Sequence, residues 1–472
     1  MDDPDSSIFT VSGRIISRRV FGKLAFLVVQ DTKGKLQTQF SKSVIGDELF
    51  SLMKSSTDAG DIISVTGTVR KTDKGETTLK ATSYELLTKS LSPLPDKFGG
   101  LKDINKRYRQ REVDMIVNSS VRETMLQRSK IISAIRSYLD EREFIEVETP
   151  ILHSVPGGAD ALPFETHHNS LDMDLTLRIA TELHLKRLVI GGFDRVYEIG
   201  RIFRNEGLST RHNPEFTSIE LYQAYSDYDD MMDLTEGMVK SVASTVFDRQ
   251  VFTFGGSKTL EGEVNGEESE SESESESESE SGIEIDLGVD WRRVSMLDIV
   301  LEHFPDSPST PDFSSYESAV ESLQGAGIKV TDEVGKMKTG GEVLNWCFEE
   351  FAEEKLIQPT FVTDYPVEIS PLARRHRDER KKGLTERFEL FVCGRELANA
   401  FTELTDPVDQ RERFEGQVGE GEEVDEAFLA ALEVGMPPTG GLGIGIDRLV
   451  MLLTSEKSIK DVIAFPLLKK EE

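Results

Sequence analysis

The chain has 472 residues, too many for one small domain and enough for two or three. Hydrophobic residues make up 37%, so real cores can form, but no apolar run reaches the roughly 18 residues of a membrane-spanning helix, and no membrane span is expected. The formal net charge of −31 argues against a polyanionic partner until it is divided: residues 1–111 sum to +6 and the remainder to −37, as for a basic module that meets nucleic acid on an acidic body that keeps the protein soluble.

Two distant cysteines, Cys347 and Cys393, make neither a disulfide framework nor a zinc site, and a reducing compartment is expected. The seven histidines show no metal spacing; His167 and His168 are neighbours on a strand, point apart, and read as structural. The opening MDDPDSS has the character of neither a signal nor a transit peptide.

Residues 8–88 read as five strands, near 9–17, 24–31, 35–41, 61–71 and 76–87, with a helical piece at 44–53. Five strands with a helix between the third and fourth describe an OB-fold, whose second and third strands bind single-stranded nucleic acid. Arg18, Arg19, Phe26 and Gln37 fall on or beside that face, where an aromatic ring can stack on a base and cations can hold phosphate. A phenylalanine in a small barrel is more often core, and OB-folds also bind proteins. The segment 90–111, with two prolines, two glycines and the basic run KDINKRYRQR, reads as a linker: a solvated connector, or one that touches a nucleic-acid backbone.

The body begins at 112. Residues 119–143 have helical spacing, with Leu126, Ile131, Ile135, Tyr138 and Leu139 on one side, and EFIEVETPIL reads as a strand ended by Pro150. In VPGGADALPF, Gly157 and Gly158 let backbone approach a ligand. Leu175–Ile179 is a strand, and Glu182 stands in the first turn of the helix that follows.

The stretch RIFRNEGLSTRHNPEFTSIELY, Arg201–Tyr222, is the centre of the body. Period two puts Glu198, Ile202, Arg204 and Glu206 on one strand face and Tyr197, Ile199 and Phe203 on the other. After a Gly/Ser/Asn/Pro loop at 207–215, the return strand shows Phe216, Ser218, Glu220 and Tyr222 on one face and Thr217, Ile219 and Leu221 on the other. An ordinary half-solvated hairpin carries Lys, Thr and Ser outward; a set of Arg, Glu, His and Tyr converging on one loop reads as a binding surface.

Residues 257–282 hold a strict Ser–Glu alternation with nothing to bury, expected to be a disordered loop out of a hairpin between Phe254 and Ile283. A solvated insertion without function is the plainer reading, phosphorylation of its serines the other. Residues 292–356 read as a mainly helical insertion. RFELFVCGRELANAFTEL gives two strands in which Glu389 and Phe391 share a face, as do Asn399, Phe401 and Glu403. Glu396 is out of phase, and a bulge is needed to bring it to the same site. TGGLGIGIDRLVMLLT is a glycine-rich strand running into a helix. Gly443 and Gly445 leave room for a flat ligand or for close strand–helix packing, and Arg448 stands where an anion is favoured.

EFIEVETPIL with Pro150, FRNEG…RHNPEFTSIELY and GIGIDRLVML together resemble the three motifs of class II aminoacyl-tRNA synthetases, and over about 8–466 the wording is similar to the lysine-specific enzymes of bacterial or organellar type. The resemblance implies an α+β fold: an N-terminal OB-fold β-barrel (1–89) that binds the anticodon through Arg18, Arg19, Phe26 and Gln37, and a class II catalytic domain (112–472), an antiparallel sheet flanked by helices. It implies a homodimer, formation of lysyl-adenylate and pyrophosphate from L-lysine and ATP, and transfer of lysine to tRNA(Lys).

By the same resemblance Arg204 bridges the substrate carboxylate and the α-phosphate. Glu206 and Phe216 hold adenine, and Arg211, His212, Asn213, Gly443, Gly445 and Arg448 meet the rest of ATP. Glu389 and Glu396 hold Mg²⁺, with no zinc expected. Gly158 and Glu182 receive the α-amino group, and Glu403 and Tyr222 the ε-ammonium, with Glu220, Asn399 and Phe401 lining the pocket. The carboxylate of Glu403 favours lysine over the aspartate and asparagine alternatives. A relative that lysylates protein would lack the OB-fold, and a non-catalytic RNA-binding paralogue would have lost Arg204, Glu389, Glu396 or Arg448. Only seven residues precede the barrel where relatives often carry a basic helix, so weaker tRNA affinity is expected. The expected location is the cytoplasm, or a plastid or mitochondrion.

Overall fold

The computed structural model describes residues 7–72, 75–95, 101–159, 161–255, 282–417 and 424–470. The Ser–Glu repeat lies outside the described residues. The chain forms two compact units, Met1–Arg122 and Glu123–Glu472.

Alternating burial along five strands closes the first unit into a barrel. Ile8–Phe21, Leu24–Gln30, Lys35–Ser41, Thr77–Thr88 and Ile62–Lys71 pair in that order, and the last returns to the first. The pairing of Lys35–Ser41 with Thr77–Thr88 is parallel, the crossover being made by the intervening helices and strand. Every second side chain, among them Ile15, Ala25, Leu27, Val29 and Phe40, points inward, and the helix Asp47–Ser56 plugs one opening with Phe50 and Met53. The segment expected to be a linker contains a helix, Ile104–Arg109, because Asp103 caps it by accepting from Lys106 N–H. Arg107 and Arg111 both turn onto the buried Asp114, so these two charges of the basic run are spent within the fold.

The second unit is built on an eight-stranded sheet. Its order is Arg292–Ser295, Thr360–Thr363, Arg387–Phe391, Glu396–Thr402, Thr439–Gly445, Glu215–Ala224, Arg195–Phe203 and Ile145–Glu146. Pairing is antiparallel except at the two edges. The strand expected across EFIEVETPIL is only the two-residue edge Ile145–Glu146, because the chain leaves the sheet after Val147 bonds to the Tyr197 carbonyl.

One sheet face is apolar. Ile219, Leu221, Leu442, Ile444, Ala398, Ala400, Phe388 and Leu390 alternate inward along four adjacent strands and pack with residues of the helices Ser119–Asp140, Tyr228–Phe247 and Ile446–Thr454. Leu126, expected on the buried side of the first of these, is 47% exposed, while Ile131, Ile135, Tyr138 and Leu139 are buried as expected. The helices Met296–His303, Tyr316–Gly325 and Gly340–Phe351 hold a separate core around Ile299, Leu323 and Phe348.

Candidate active site

The opposite sheet face is polar, and the strand register arranges it in rows. Glu220, Gly443, Asn399 and Glu389 stand directly across from one another on four successive strands, and Tyr222, Gly441, Phe401 and Arg387 form the adjoining row. The paired side chains of each row project to the same side, and together they floor a cavity of about 500 Å³. Each row has a glycine, Gly443 or Gly441, that leaves the floor without a side chain at that point.

The period-two assignment of the hairpin holds for its return strand: Phe216, Ser218, Glu220 and Tyr222 line the cavity, while Ile219 and Leu221 are core. On the outgoing strand it needs a correction. Glu198 lies across from Glu220 on the same face, but Arg178 covers it, donating to Glu198 Oε1 at 2.6 Å, and Thr149 Oγ1 donates to Oε2 at 2.6 Å. Gly200 makes this possible: a Cβ there would lie 2.2 Å from the Arg178 guanidinium. Glu198 is therefore a buried structural charge. The strand also ends at Phe203, so Arg204 and Glu206 project from the loop that follows, with Arg204 N–H held by the Pro214 carbonyl at 2.8 Å.

That loop builds one end of the cavity. Ser209 Oγ accepts from the backbone N–H of Arg211 and His212, and Asn213 donates to the Glu215 carbonyl at 2.7 Å. The Arg204 guanidinium lies 5.4 Å from the centroid of Phe216, and its Nε has no hydrogen-bond partner among the described residues. Arg448, in the first turn of Ile446–Thr454, donates to the Glu396 carboxylate at 3.1 Å and to its carbonyl at 2.7 Å. Burial and the nearby Arg448 lower the basicity of His212, which favours a neutral ring.

The bulge required to bring in Glu396 is present: the register slips between Leu390 and Phe391, and Phe391 pairs with Glu396. Glu389 and Glu396 therefore both face the cavity. Burial pushes Glu389 up to about 7 against the pull of Arg387, and Glu396 adds to the rise. Arg387, not singled out from the sequence, donates to Glu389 at 2.5 Å and to Asn399 at 3.1 Å. Its place two residues before Glu389 on the same strand face was the available signal.

The other end of the cavity is acidic. Gly158, at φ +85°, and Glu182, on the helix Glu182–Ile190, line it beside Glu220 and Tyr222. Glu220 accepts from Thr181 N–H at 3.2 Å through one oxygen, and the other has no partner among the described residues. Burial, then Glu182, raises Glu220 to about 7. Glu403 stands behind Gly441 and is 1% exposed. A Cβ on Gly441 would lie 1.9 Å from Glu403 Oε1 and 2.6 Å from a Tyr222 ring carbon, so the missing side chain is what opens the cavity toward both. Sequence reasoning missed Lys186: fully buried one turn after Glu182, it donates to Glu182 at 2.5 Å and forms an ion pair with Glu403.

On the barrel, Arg19, Phe26 and Gln39 lie across from one another on three strands, and Gln37 sits one row away. Phe26 is half-buried, outside the barrel core, with its ring 6.5 Å from that of Phe21. Arg70, also missed, donates to Gln39 at 2.6 Å. Arg18 departs from expectation: it pairs with Leu27, an inward residue, and its guanidinium caps the Lys54 carbonyl at 2.5 Å.

Residues 103–469 match the family described as tRNA synthetases class II (D, K and N), and residues 9–87 match the OB-fold nucleic acid binding domain. A Lysine--tRNA ligase of Synechococcus sp. (strain RCC307) is 54% identical over 480 residues, covering 100% of this chain and 88% of its own. That of Nostoc punctiforme is 54% identical over 478 residues, covering 98% and 79%. A third, from Synechococcus sp. (strain CC9311), is 54% identical over 473 residues, covering 98% and 89%.

Proposed function

The chain belongs to the class II tRNA synthetases of the D, K and N group, and from that premise we propose that it activates L-lysine with ATP and transfers it to tRNA(Lys). The observation that carries the choice of lysine is a count of charge. Glu182 and Glu220 line one end of the cavity and Glu403 stands behind Gly441, with a single internal ammonium among them, that of Lys186; once all three carboxylates are ionised the group is two positive charges short. Free lysine brings two ammonium groups, and its carboxylate has Arg204 to meet. Aspartate or asparagine would add negative charge or leave buried carboxylates unpaired.

In this reading the lysine carboxylate attacks the α-phosphorus of ATP in line and pyrophosphate departs. Arg204 holds the attacking carboxylate and the α-phosphate with a planar pair of donors. Phe216 offers its ring to adenine and Glu206 an acceptor, and Arg211, His212 and Arg448 neutralise the phosphates. The chain's work is positioning and charge compensation, which displacement at phosphorus requires more than a nucleophilic side chain. Glu389 and Glu396 both line the cavity and offer hard oxygen donors, the chemistry that suits Mg²⁺ sharing its shell with phosphate and water. When bound, the ion supplies charge for the leaving pyrophosphate.

The barrel face of Arg19, Phe26 and Gln37, extended by Gln39 and Arg70, takes unpaired anticodon bases. Exposed Leu126, Ile145, Ile151 and Leu152, all in or beside the first motif, support a homodimer formed there. Two free cysteines suit a reducing compartment, the cytoplasm or an organelle interior. Among the described residues no helix is long and apolar enough to cross a membrane.

ATP–pyrophosphate exchange with each of the twenty amino acids, with and without tRNA, tests the reading; a lysine-only, tRNA-independent signal is expected. Lysine binding is also expected to release protons. Glu220, raised to about 7 among Glu182, Glu403, Tyr222, Lys186 and Arg204, is largely protonated below that pH and must ionise beside a cation. Affinity should therefore rise about tenfold from pH 6 to pH 8. Calorimetry in two buffers of different ionisation heat measures this, and an affinity that falls with pH contradicts it. Gly441→Ala should raise the KM for lysine at least about a hundredfold and leave that for ATP within about twofold, since Glu403 and Tyr222 are both too buried to yield.

A further inference from the structure

Lys186 is 0% exposed, an unusual place for an ammonium, and everything around it is arranged to hold its charge. Its Nζ meets Glu182 Oε1 at 2.5 Å from its own helix and Glu403 Oε2 from the end of the neighbouring strand. The rings of Phe401 and Phe428 lie 5.5 Å and 6.0 Å away. The other oxygen of Glu403 has no hydrogen-bond partner among the described residues and points past Gly441, beside Tyr222. The Lys186 ammonium thus takes one oxygen from each of two carboxylates and leaves the second oxygen of each for something else.

We propose that Lys186 is a positioning residue for amino-acid selection. By clamping Glu182 to Glu403 it turns their remaining oxygens toward the cavity, set for a substrate with two ammonium groups and not for one with a single ammonium. The inference rests on the lysine reading above and deepens it. It also sets the protonation of the pocket. Burial by itself would lower Lys186, but Glu182 and Glu403 outweigh it and raise it. In return its charge opposes the upward push of burial, Glu182 and Glu220 on Glu403. Without it, Glu403 would lose the one charge that opposes this push and would be held more firmly in its protonated form.

The test is a double-mutant cycle read by ATP–pyrophosphate exchange on the full-length protein. The wild type must first show a lysine-dependent signal; a different amino acid there overturns the functional reading itself, whatever the variants do. Given that signal, Lys186→Met is expected to raise the KM for lysine about a hundredfold at pH 7 and to change that for ATP less than about twofold. The penalty should shrink as pH rises, because Glu403 ionises again. Preference for lysine over norleucine, the same carbon chain without the ε-ammonium, should fall by a similar factor. On a Glu403→Gln background the same substitution should add less than about threefold, since one end of the Glu182–Glu403 clamp is already gone and Lys186 no longer holds the two carboxylates together. If Lys186→Met alone fails to fold, the double variant, which leaves fewer buried carboxylates unpaired, still decides: a further loss of about tenfold or more relative to Glu403→Gln overturns the proposal by itself. Full additivity on the Glu403→Gln background, or equal losses for lysine and ATP with an unchanged pH profile, would overturn the proposal and leave Lys186 as packing.

Discussion

Glu403→Gln is expected to lower lysine-dependent ATP–pyrophosphate exchange about a thousandfold while leaving the KM for ATP and the melting temperature close to wild type. The size follows from burial. Glu403 is 1% exposed, and a substrate ammonium brought beside it is out of water as well, so removing the anion leaves an uncompensated cation in a low-dielectric site. Breaking a buried pair from one side costs about 4 kcal/mol, or about three powers of ten. Stability should not follow activity, because Glu403 is crowded by Glu182 and Glu220 before substrate arrives and Lys186 keeps its bond to Glu182 after the change. Exchange within tenfold of wild type would remove Glu403 from amino-acid selection.

Arg204→Lys is the second large effect, and it should fall on the other kinetic constant. The charge is kept, but the planar fork of donors is lost. The interaction is called on most strongly when the attacking carboxylate and the α-phosphate share the forming bond. A loss of about two to three orders of magnitude in kcat is expected, with the KM for lysine changed less than about tenfold. Rapid-quench measurement of pyrophosphate release in a single turnover would isolate the step. A rise in KM alone would mean that Arg204 only binds substrate. Its Nε lacks a partner among the described residues and its guanidinium lies near Phe216, so the group is placed for a ligand and not committed to the fold.

The parts of this site that could be read in the sequence are those governed by local periodicity. Phe216, Ser218, Glu220 and Tyr222 share a face because a strand repeats every two residues, and the phase conflict between Glu389 and Glu396 required the bulge found between Leu390 and Phe391. Long-range neutralisation was hidden. Glu198 has the spacing of a site carboxylate, but Arg178 from another element covers it. Lys186 has the spacing of an ordinary surface lysine one turn after Glu182, and only the folded sheet brings Glu403 to it. Arg18 and Arg19 are equivalent in composition, and a register of one residue decides that Arg19 shares a face with Phe26 while Arg18 is used as a cap. Leu126 fits the helical stripe as well as Ile131 does, yet it is left uncovered in the single chain.

Val251–Phe254 and Ile283–Asp286 form an antiparallel pair in which Phe254 lies directly across from Ile283. The polypeptide thus departs and comes back at one spot, a gap that a two-residue turn could bridge. Whatever lies between can be lengthened, trimmed or replaced without disturbing the ladder, which makes this junction a natural port for a fluorophore or affinity handle.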